Sequence, residues 1–122
     1  MANKILIIED EKILAGMYQE KFKIAGFKVF LAGDAEEGLV LAKKEKPDLI
    51  LLDILLPRGN GIFFLEKIKE IAEVSSIPVV AFSNYDDIPT KQKAKELGAR
   101  DYLIKTNFTP EEVVNKIKKY LK

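Results

Sequence analysis

Residues 48–53 of the chain read Asp48-Leu49-Ile50-Leu51-Leu52-Asp53, an unbroken apolar run with an acid at either end. A strand that faces water on one side alternates apolar and polar residues, whereas a strand covered on both faces is apolar almost throughout. The run is also too short for a typical helix. It therefore predicts a buried strand of a parallel sheet, with a carboxylate directly after its last apolar residue.

Four more runs rich in β-branched or apolar residues lie on either side of this one, at 5–8, 28–32, 78–82 and 101–104. The segments between the runs have apolar residues at helical spacing, which indicates one buried stripe per helix. The first such stripe consists of Leu14, Met17, Tyr18, Phe22 and Ala25. Five repeats of strand and helix predict a single α/β domain over residues 1–122. We expect a flavodoxin-like doubly wound sheet of five parallel strands in the order 2-1-3-4-5, with five helices.

Capping signals agree with this division of the chain. Asp34 with Glu37 and Thr109 with Glu112 have the spacing of a capping box, and Gly26 and Gly98 fall where helices should stop. The fourth helix, at about 88–97, has few apolar residues and is expected to be thinly packed and mobile.

Composition excludes several classes of function. Twenty Lys and Arg against nineteen Asp and Glu leave a net charge of +1, without the basic excess of a nucleic-acid-binding domain. The chain has no cysteine and no histidine, which rules out disulfides, Cys/His zinc sites and imidazole catalysis. No apolar run is long enough to span a membrane, and no targeting segment is visible, so we expect a cytoplasmic protein without membrane contact.

Polar residues follow four strands that are neighbours in the expected order. They are Glu9, Asp10 and Glu11 after the first strand, Asp53 after the third, Ser83 after the fourth and Lys105 after the fifth. Ligands of such sheets bind at the carboxyl ends of the strands. Crowded carboxylates keep a proton or bind a cation, and Mg²⁺ prefers oxygen ligands. We therefore predict a phosphoryl-transfer site with Asp53 as nucleophile, although Asp10 alone would more often be a helix cap.

These residues resemble the receiver domains of two-component response regulators, over essentially the whole chain. The segment from Ile5 to Glu11 is similar to the family's first strand and acidic pair. The segment from Asp48 to Pro57 resembles its phosphoacceptor segment, with Gly61 at a position where the family keeps glycine. The segment from Gly98 to Lys105 resembles its closing motif.

The resemblance implies a role for each site residue. Asp53 would take a phosphoryl group from a phosphohistidine on a sensor histidine kinase or phosphotransfer protein. Mg²⁺ or Mn²⁺ would be held by Glu9, Asp10, Asp53 and the backbone carbonyl of Leu55. Lys105 and Ser83 would contact the phosphoryl group. Such a domain signals, and it catalyses only its own phosphorylation and dephosphorylation.

The resemblance also implies a switch. Ser83 and Tyr102 would change the face made by the fourth helix, the fifth strand and the last helix, through which a partner or a second copy would bind. Leu55, Tyr85 and Asn84 lie at positions that tune the rate of phosphate loss, and the bulk of Leu55 and Tyr85 predicts slow loss. Asn84 stands where the family usually has a small residue, and Gly59 replaces an apolar one. Thr106 replaces a proline whose bond to lysine is characteristically cis.

Two other functions are compatible with this fold class. A haloacid-dehalogenase-like phosphatase also uses an aspartyl nucleophile and magnesium, but it needs an acid two residues later, where this chain has Leu55. A flavodoxin-like mononucleotide binder needs a loop of Ser, Thr and Gly after the first strand, where Glu9 and Asp10 would repel phosphate. The upstream kinase, the output and the presence of further domains stay open.

Overall fold

Five strands alternate with five α-helices in the computed structural model, which describes residues 3–56, 61–84 and 86–121. The strands are β1 (Lys4–Ile8), β2 (Lys28–Ala32), β3 (Leu49–Leu52), β4 (Val79–Ser83) and β5 (Asp101–Ile104). The helices are α1 (Lys12–Ile24), α2 (Ala35–Glu45), α3 (Gly61–Lys69), α4 (Ile88–Glu96) and α5 (Pro110–Lys118). A short 3₁₀ turn, η1 (Lys105–Asn107), connects β5 to α5.

The strands form one parallel sheet in the order β2-β1-β3-β4-β5, which confirms the predicted flavodoxin-like fold. Their last residues lie side by side. Ile8 pairs with both Ala32 and Leu52, and Ser83 pairs with Ile104. This register brings the residues that follow β1, β3, β4 and β5 to one edge of the sheet.

Helices cover both faces of the sheet, as the apolar strands predict. Leu6 and Ile8 of β1 pack into a cluster with α2 and α3, while Ile5 and Ile7 pack on the opposite face with α1 and α5. Alternate residues of a strand point to opposite faces, so a strand buried on both sides must be apolar at every position. All four residues of β3 are accordingly buried.

The helix ends agree with the capping signals in most places. Thr109 and Glu112 form the predicted capping box of α5. The prediction for α2 was half wrong, because Asp34 accepts from the N–H of Glu37 but the Glu37 carboxylate accepts from the N–H of Gly33, at 2.7 Å. Gly26 and Gly98 both have φ of +98°, the left-handed conformation that suits glycine at a helix end.

The packing of α1 departs in part from the prediction, whereas that of α4 agrees with it. In α1, Tyr18 and Phe22 are buried as expected, but Met17 and Ala25 are exposed. All nine residues of α4 are described, and Ala94 is the one that is buried. The expected thin packing of α4 is therefore confirmed. Within the described residues, no helix is long and apolar enough to cross a bilayer.

Candidate functional site

Glu9 and Asp53 are the first residues after two adjacent central strands. The N–H of Asp53 donates to the carbonyl of Ile8 at 2.9 Å, so the ladder between β1 and β3 extends to the acid itself. On the other side, the N–H of Glu9 donates to the carbonyl of Ala32 at 2.9 Å. Both acids are therefore held by the sheet backbone, and they are only 5% and 6% exposed.

Asp10 completes an acidic cluster with these two residues. One carboxylate oxygen from each of Glu9, Asp10 and Asp53 can be chosen so that all three lie within 4.8 Å of one another. Glu9 and Asp53 are buried, whereas Asp10 is exposed to solvent. Because every side chain in the cluster offers an oxygen, the residues fit a hard divalent cation such as Mg²⁺.

The alternative interpretation of Asp10 as a helix cap is not supported. The residue at the N-cap position of α1 is Glu11, and its side chain makes no capping hydrogen bond. The N–H of Glu11 donates instead to Glu9 Oε2 at 3.1 Å, which helps to orient the buried carboxylate.

Lys105 lies between the two buried carboxylates. Its Nζ donates to Glu9 Oε1, and it donates to Asp53 Oδ2 at 3.2 Å. The ammonium also lies 5.5 Å from the ring centroid of Phe82. The side chain is 11% exposed, so this lysine is not the solvated surface residue that its type alone would favour.

Burial is the main cause of the shifted acidity of Glu9. It raises the pKa of Glu9 to about 7, and the negative charge of Asp53 raises it further. Hydrogen bonds from the Lys105 ammonium and from the backbone N–H of Glu11 act in the opposite direction. For Lys105, burial opposes the charged form, but the hydrogen bond and charge of Glu9 and the charge of Asp53 outweigh it, so its pKa is raised. The lysine therefore stays charged and partly offsets the crowded acids.

Gly61 supports the backbone that carries Asp53. Its N–H donates to the carbonyl of Ile54 at 2.8 Å, which joins the start of α3 to the residue after Asp53. A β-carbon at this position would lie 2.7 Å from the carbonyl oxygen of Asp53 and 2.7 Å from the Cα of Ile54. Glycine is therefore required by the close approach of two backbones.

Ser83, at the end of β4, and Tyr102, the second residue of the neighbouring β5, form a hydrogen-bonded pair. Ser83 is the last residue of β4 rather than the first after it, and it is 1% exposed. Burial raises the pKa of Tyr102, and so do the negative charges of Asp53, Asp86 and Asp87. A hydrogen bond with Ser83 lowers it. The hydroxyl predicted to contact phosphate is thus already joined to the predicted switch aromatic.

The remaining predicted site residues are only partly accounted for. Leu55 is 53% exposed and donates its N–H to Asp53 Oδ1 at 3.1 Å, while its carbonyl as a metal ligand stays a prediction. Tyr85, Pro57 and Gly59 lie outside the described residues. The described part of the chain contains no cis peptide bond, so the bond between Lys105 and Thr106 is trans.

Sequence reasoning missed one contact at this edge. The side-chain oxygen of Asn84 accepts from the N–H of Thr106 at 3.1 Å, which joins the loop after β4 to the turn after β5. The signal was present, because a residue other than proline at position 106 has a backbone N–H to donate. For Asn84 the sequence predicts bulk beside Ser83 and an effect on the rate of phosphate loss, but not this hydrogen bond.

Comparisons with known proteins agree with this geometry. The chain is 36% identical to sporulation initiation phosphotransferase F of Bacillus subtilis, over 99% of the chain and 95% of that protein. It is 35% identical to the alkaline phosphatase synthesis transcriptional regulatory protein PhoP of the same organism, where the whole chain spans 50% of the relative's length. The chemotaxis response regulator CheY4 of Vibrio cholerae superposes with a TM-score of 0.91 at 26% identity, covering 99% of this chain and 100% of that one.

The family model described as the response regulator receiver domain matches residues 5–118. That range begins in β1, ends with α5 and includes Glu9, Asp53, Ser83 and Lys105. The chain belongs to the receiver-domain family of two-component response regulators.

Proposed function

We propose that Asp53 accepts a phosphoryl group from a phosphohistidine. A carboxylate oxygen of Asp53 attacks phosphorus, the P–N bond breaks, and the leaving imidazole nitrogen keeps the electron pair. The observation that carries this proposal is the position of Asp53, which lies among two other acids on one side and against the Lys105 ammonium on the other. An aspartyl carboxylate is an established nucleophile for covalent catalysis.

The surrounding residues would manage the charge of the phosphoryl group. Lys105 already contacts Asp53, so its ammonium is in reach of a phosphoryl oxygen attached there. Ser83 would donate its hydroxyl to a second oxygen. Glu9, Asp10 and Asp53, with the backbone carbonyl of Leu55, would hold a divalent cation, which when bound supplies the neutralisation that crowded acids and phosphate require.

Three exposed apolar side chains at this edge of the sheet are available to a protein that acts as the phosphoryl donor. Ile13 is 92% exposed in the first turn of α1, Leu55 is 53% exposed after β3, and Ile88 is 66% exposed at the start of α4. All three lie near the carboxyl edge of the sheet. Exposed apolar groups near a site favour a macromolecular partner. A sensor histidine kinase or a phosphotransfer protein is the donor class that fits.

The response would be transmitted through the α4-β5-α5 face. Ser83 and Tyr102 join the site to this face, and α4 has little buried surface to hold it in place. A shift of Ser83 towards the phosphoryl group would release Tyr102 and move α4. The downstream partner, dimerisation through this face and slow phosphate loss stay predictions. We place all of residues 1–122 in one receiver domain.

Labelling by a small phosphodonor tests the assignment of Asp53. The wild type should gain the mass of one phosphoryl group when Mg²⁺ is present, and Asp53→Asn should gain none. Asp48→Asn is the matched control, because Asp48 lies at the opposite end of the same strand and is exposed. Full labelling of Asp53→Asn, or undiminished labelling of the wild type with EDTA, would contradict the proposal.

A further inference from the structure

The turn after β5 begins without a local cap. Lys105, Thr106 and Asn107 form η1, and the residue before it, Ile104, contributes no side-chain hydrogen bond to the turn. The first N–H groups of a helical turn have no partner inside it and must find one elsewhere. The N–H of Thr106 is such a group, and it finds Asn84 Oδ1 at 3.1 Å.

This hydrogen bond joins two loops that are separated by 22 residues. Asn84 directly follows Ser83, which is buried at the end of β4. Thr106 directly follows Lys105, whose ammonium contacts Glu9 and Asp53. One bond therefore connects the backbone beside the predicted phosphate-binding hydroxyl to the backbone beside the predicted phosphate-binding lysine.

The bond requires two residues together. Position 106 must not be proline, because proline has no N–H to donate. Position 84 must have a short side chain with an acceptor oxygen, which asparagine provides. Ala, Gly or Val at position 84 would leave the N–H of Thr106 without this partner.

We infer that Asn84 is a positioning residue: it caps η1 from a neighbouring loop and thereby holds Lys105 at the phosphoacceptor. Lys105 is the first residue of η1, so the position of this turn determines where the side chain starts on its path to Glu9 and Asp53. Phe82, on β4 two residues before Asn84, lies beside the ammonium of Lys105. The inference rests on the proposed function for its effect on phosphorylation, but not for its effect on the turn.

The turn itself is tested first, without donor or metal. In Asn84→Ala the amide of Thr106 should exchange with solvent roughly three- to tenfold faster than in the wild type, the range expected for the loss of one hydrogen bond. Thr106→Ala is the matched control, since it removes the side chain and keeps the N–H. Unchanged exchange in Asn84→Ala would overturn the inference whether or not Asp53 is phosphorylated.

Labelling of Asp53 by a small phosphodonor is the second measurement. Asn84→Ala should slow labelling roughly three- to tenfold, Thr106→Pro should do the same, and the double variant should be no slower than either. Thr106→Ala should label like the wild type. Additive losses in the double variant, or normal labelling in Asn84→Ala, would overturn the inference.

Affinity for Mg²⁺ separates positioning from general damage. Lys105 occupies the same carboxylates that would bind the cation, so loosening it should leave the affinity of Asn84→Ala for Mg²⁺ unchanged or higher. A site that is simply disordered would bind the cation more weakly. A fall in affinity parallel to the fall in labelling rate would therefore contradict the positioning role. If the wild type itself does not label at Asp53, the proposed function fails while the exchange result still decides the role of Asn84 in the turn.

Discussion

The carboxyl edge of the sheet has two halves that are held in place differently. The central half contains Glu9, Asp10 and Asp53, after β1 and β3, and the outer half contains Ser83, Asn84, α4 and β5. Residues 5–8 and all of β3 are buried, whereas Leu103 is the one buried residue of β5. The central half is thus fixed by strands packed on both faces. In the outer half, Ser83 ends the equally buried β4, but α4 and β5 bury little surface, and a side-chain hydrogen bond joins the loops there.

This difference indicates that the two halves of the edge serve different functions. A site for phosphoryl transfer needs groups held to a fraction of an ångström, which buried strands provide. A surface that reports on the site needs an element with two accessible arrangements, which a thinly packed helix provides.

Gly61→Ala should cause the largest change. The added β-carbon would lie 2.7 Å from the Asp53 carbonyl oxygen, so the backbone of the central half must shift. We expect a loss of about 3 kcal/mol in the free energy of unfolding, at the upper end for overpacking. Urea unfolding would measure it.

Gly16→Ala is the matched control for this change. Gly16 lies within α1, and a β-carbon there would meet nothing within 4 Å. That variant should be stabilised by about 0.5–1 kcal/mol, because alanine is the better helix former. If both variants lose the same stability, the close approach at Gly61 is not what matters.

Glu9 should make the stability of the central half depend on pH in the absence of divalent cations. Its pKa in the folded protein is raised to about 7, above the ordinary value of 4.5, mainly by burial. The folded state then binds this proton more tightly than the unfolded state. The stability gained from the protonated Glu9 is complete below pH 4.5, the pKa of this group in the unfolded chain. It is lost as the pH rises through about 7, the pKa in the folded protein.

We therefore expect the wild type to lose on the order of 2 kcal/mol between pH 5 and 8 relative to Glu9→Gln. Thermal unfolding across this range would measure the difference. Glu20→Gln, the same change at an exposed position of α1, should follow the wild type. Parallel curves for the wild type and Glu9→Gln would show that Glu9 titrates normally.

In the outer half, α4 should open by local unfolding more readily than α5. The two helices are a matched pair for this comparison. Both α4 and α5 have nine residues, a side chain that caps the first turn and a proline near the start. They differ in burial, because α5 buries Val113, Val114 and Ile117 where α4 buries Ala94. Amides in the last turns of α4 should exchange at least tenfold faster than those of α5, since buried aliphatic side chains stabilise by about 1.5–3 kcal/mol each.

Equal exchange rates would remove the contrast between the two halves. A phosphoryl mimic bound at Asp53 should slow or accelerate exchange in residues 86–105 and leave β1 and β3 unchanged. A change confined to the central strands would place the switch outside the α4-β5-α5 face.

Tyr120→Phe should cause the smallest change. Tyr120 donates its hydroxyl to Asp101 Oδ2 at 2.5 Å, which ties the end of the chain to the start of β5. This bond and partial burial raise the pKa of Tyr120 to about 12. We expect a loss of about 0.5–1 kcal/mol, the range for one hydrogen bond.

The contribution of Tyr120 should be complete below pH 10 and lost as the pH rises through about 12, because the folded state holds the phenolic proton more tightly. Titration of phenolate absorbance should show a step near pH 12 that belongs to Tyr120, in addition to the raised pKa values of Tyr18 and Tyr102. That late step should be missing in Tyr120→Phe. Its persistence would assign it to another tyrosine.

The fold could be predicted almost completely because its strands are apolar on both faces. The predicted β2, β3 and β5 have the observed bounds, and β4 is displaced by one residue to Val79–Ser83. Pro78 cannot donate to the ladder, although its carbonyl accepts from Ile50, so the strand begins after it. The last helix ends at Lys118, because the amides of residues 119–121 bond three residues back in a tighter turn.

The candidate site was predictable where position alone decides it. Glu9, Asp53 and Lys105 follow neighbouring strands, so strand order brings them together. The bond from Thr106 to Asn84 and the bond from Tyr120 to Asp101 depend on how far particular side chains reach between loops. No periodicity in the sequence encodes such distances, which is why the outer half was predicted less well than the central half.

The strand order has a consequence for synthesis of the chain. Lys105 reaches back across 96 residues to Glu9, so the counter-charge of the acidic cluster is made last. A nascent chain that has released β1 to β4 from the ribosome already carries Glu9, Asp10 and Asp53 but lacks this ammonium. Crowded carboxylates then keep a proton or take a cation. Dependence on divalent cations should therefore be greatest while the protein is being made, before β5 emerges.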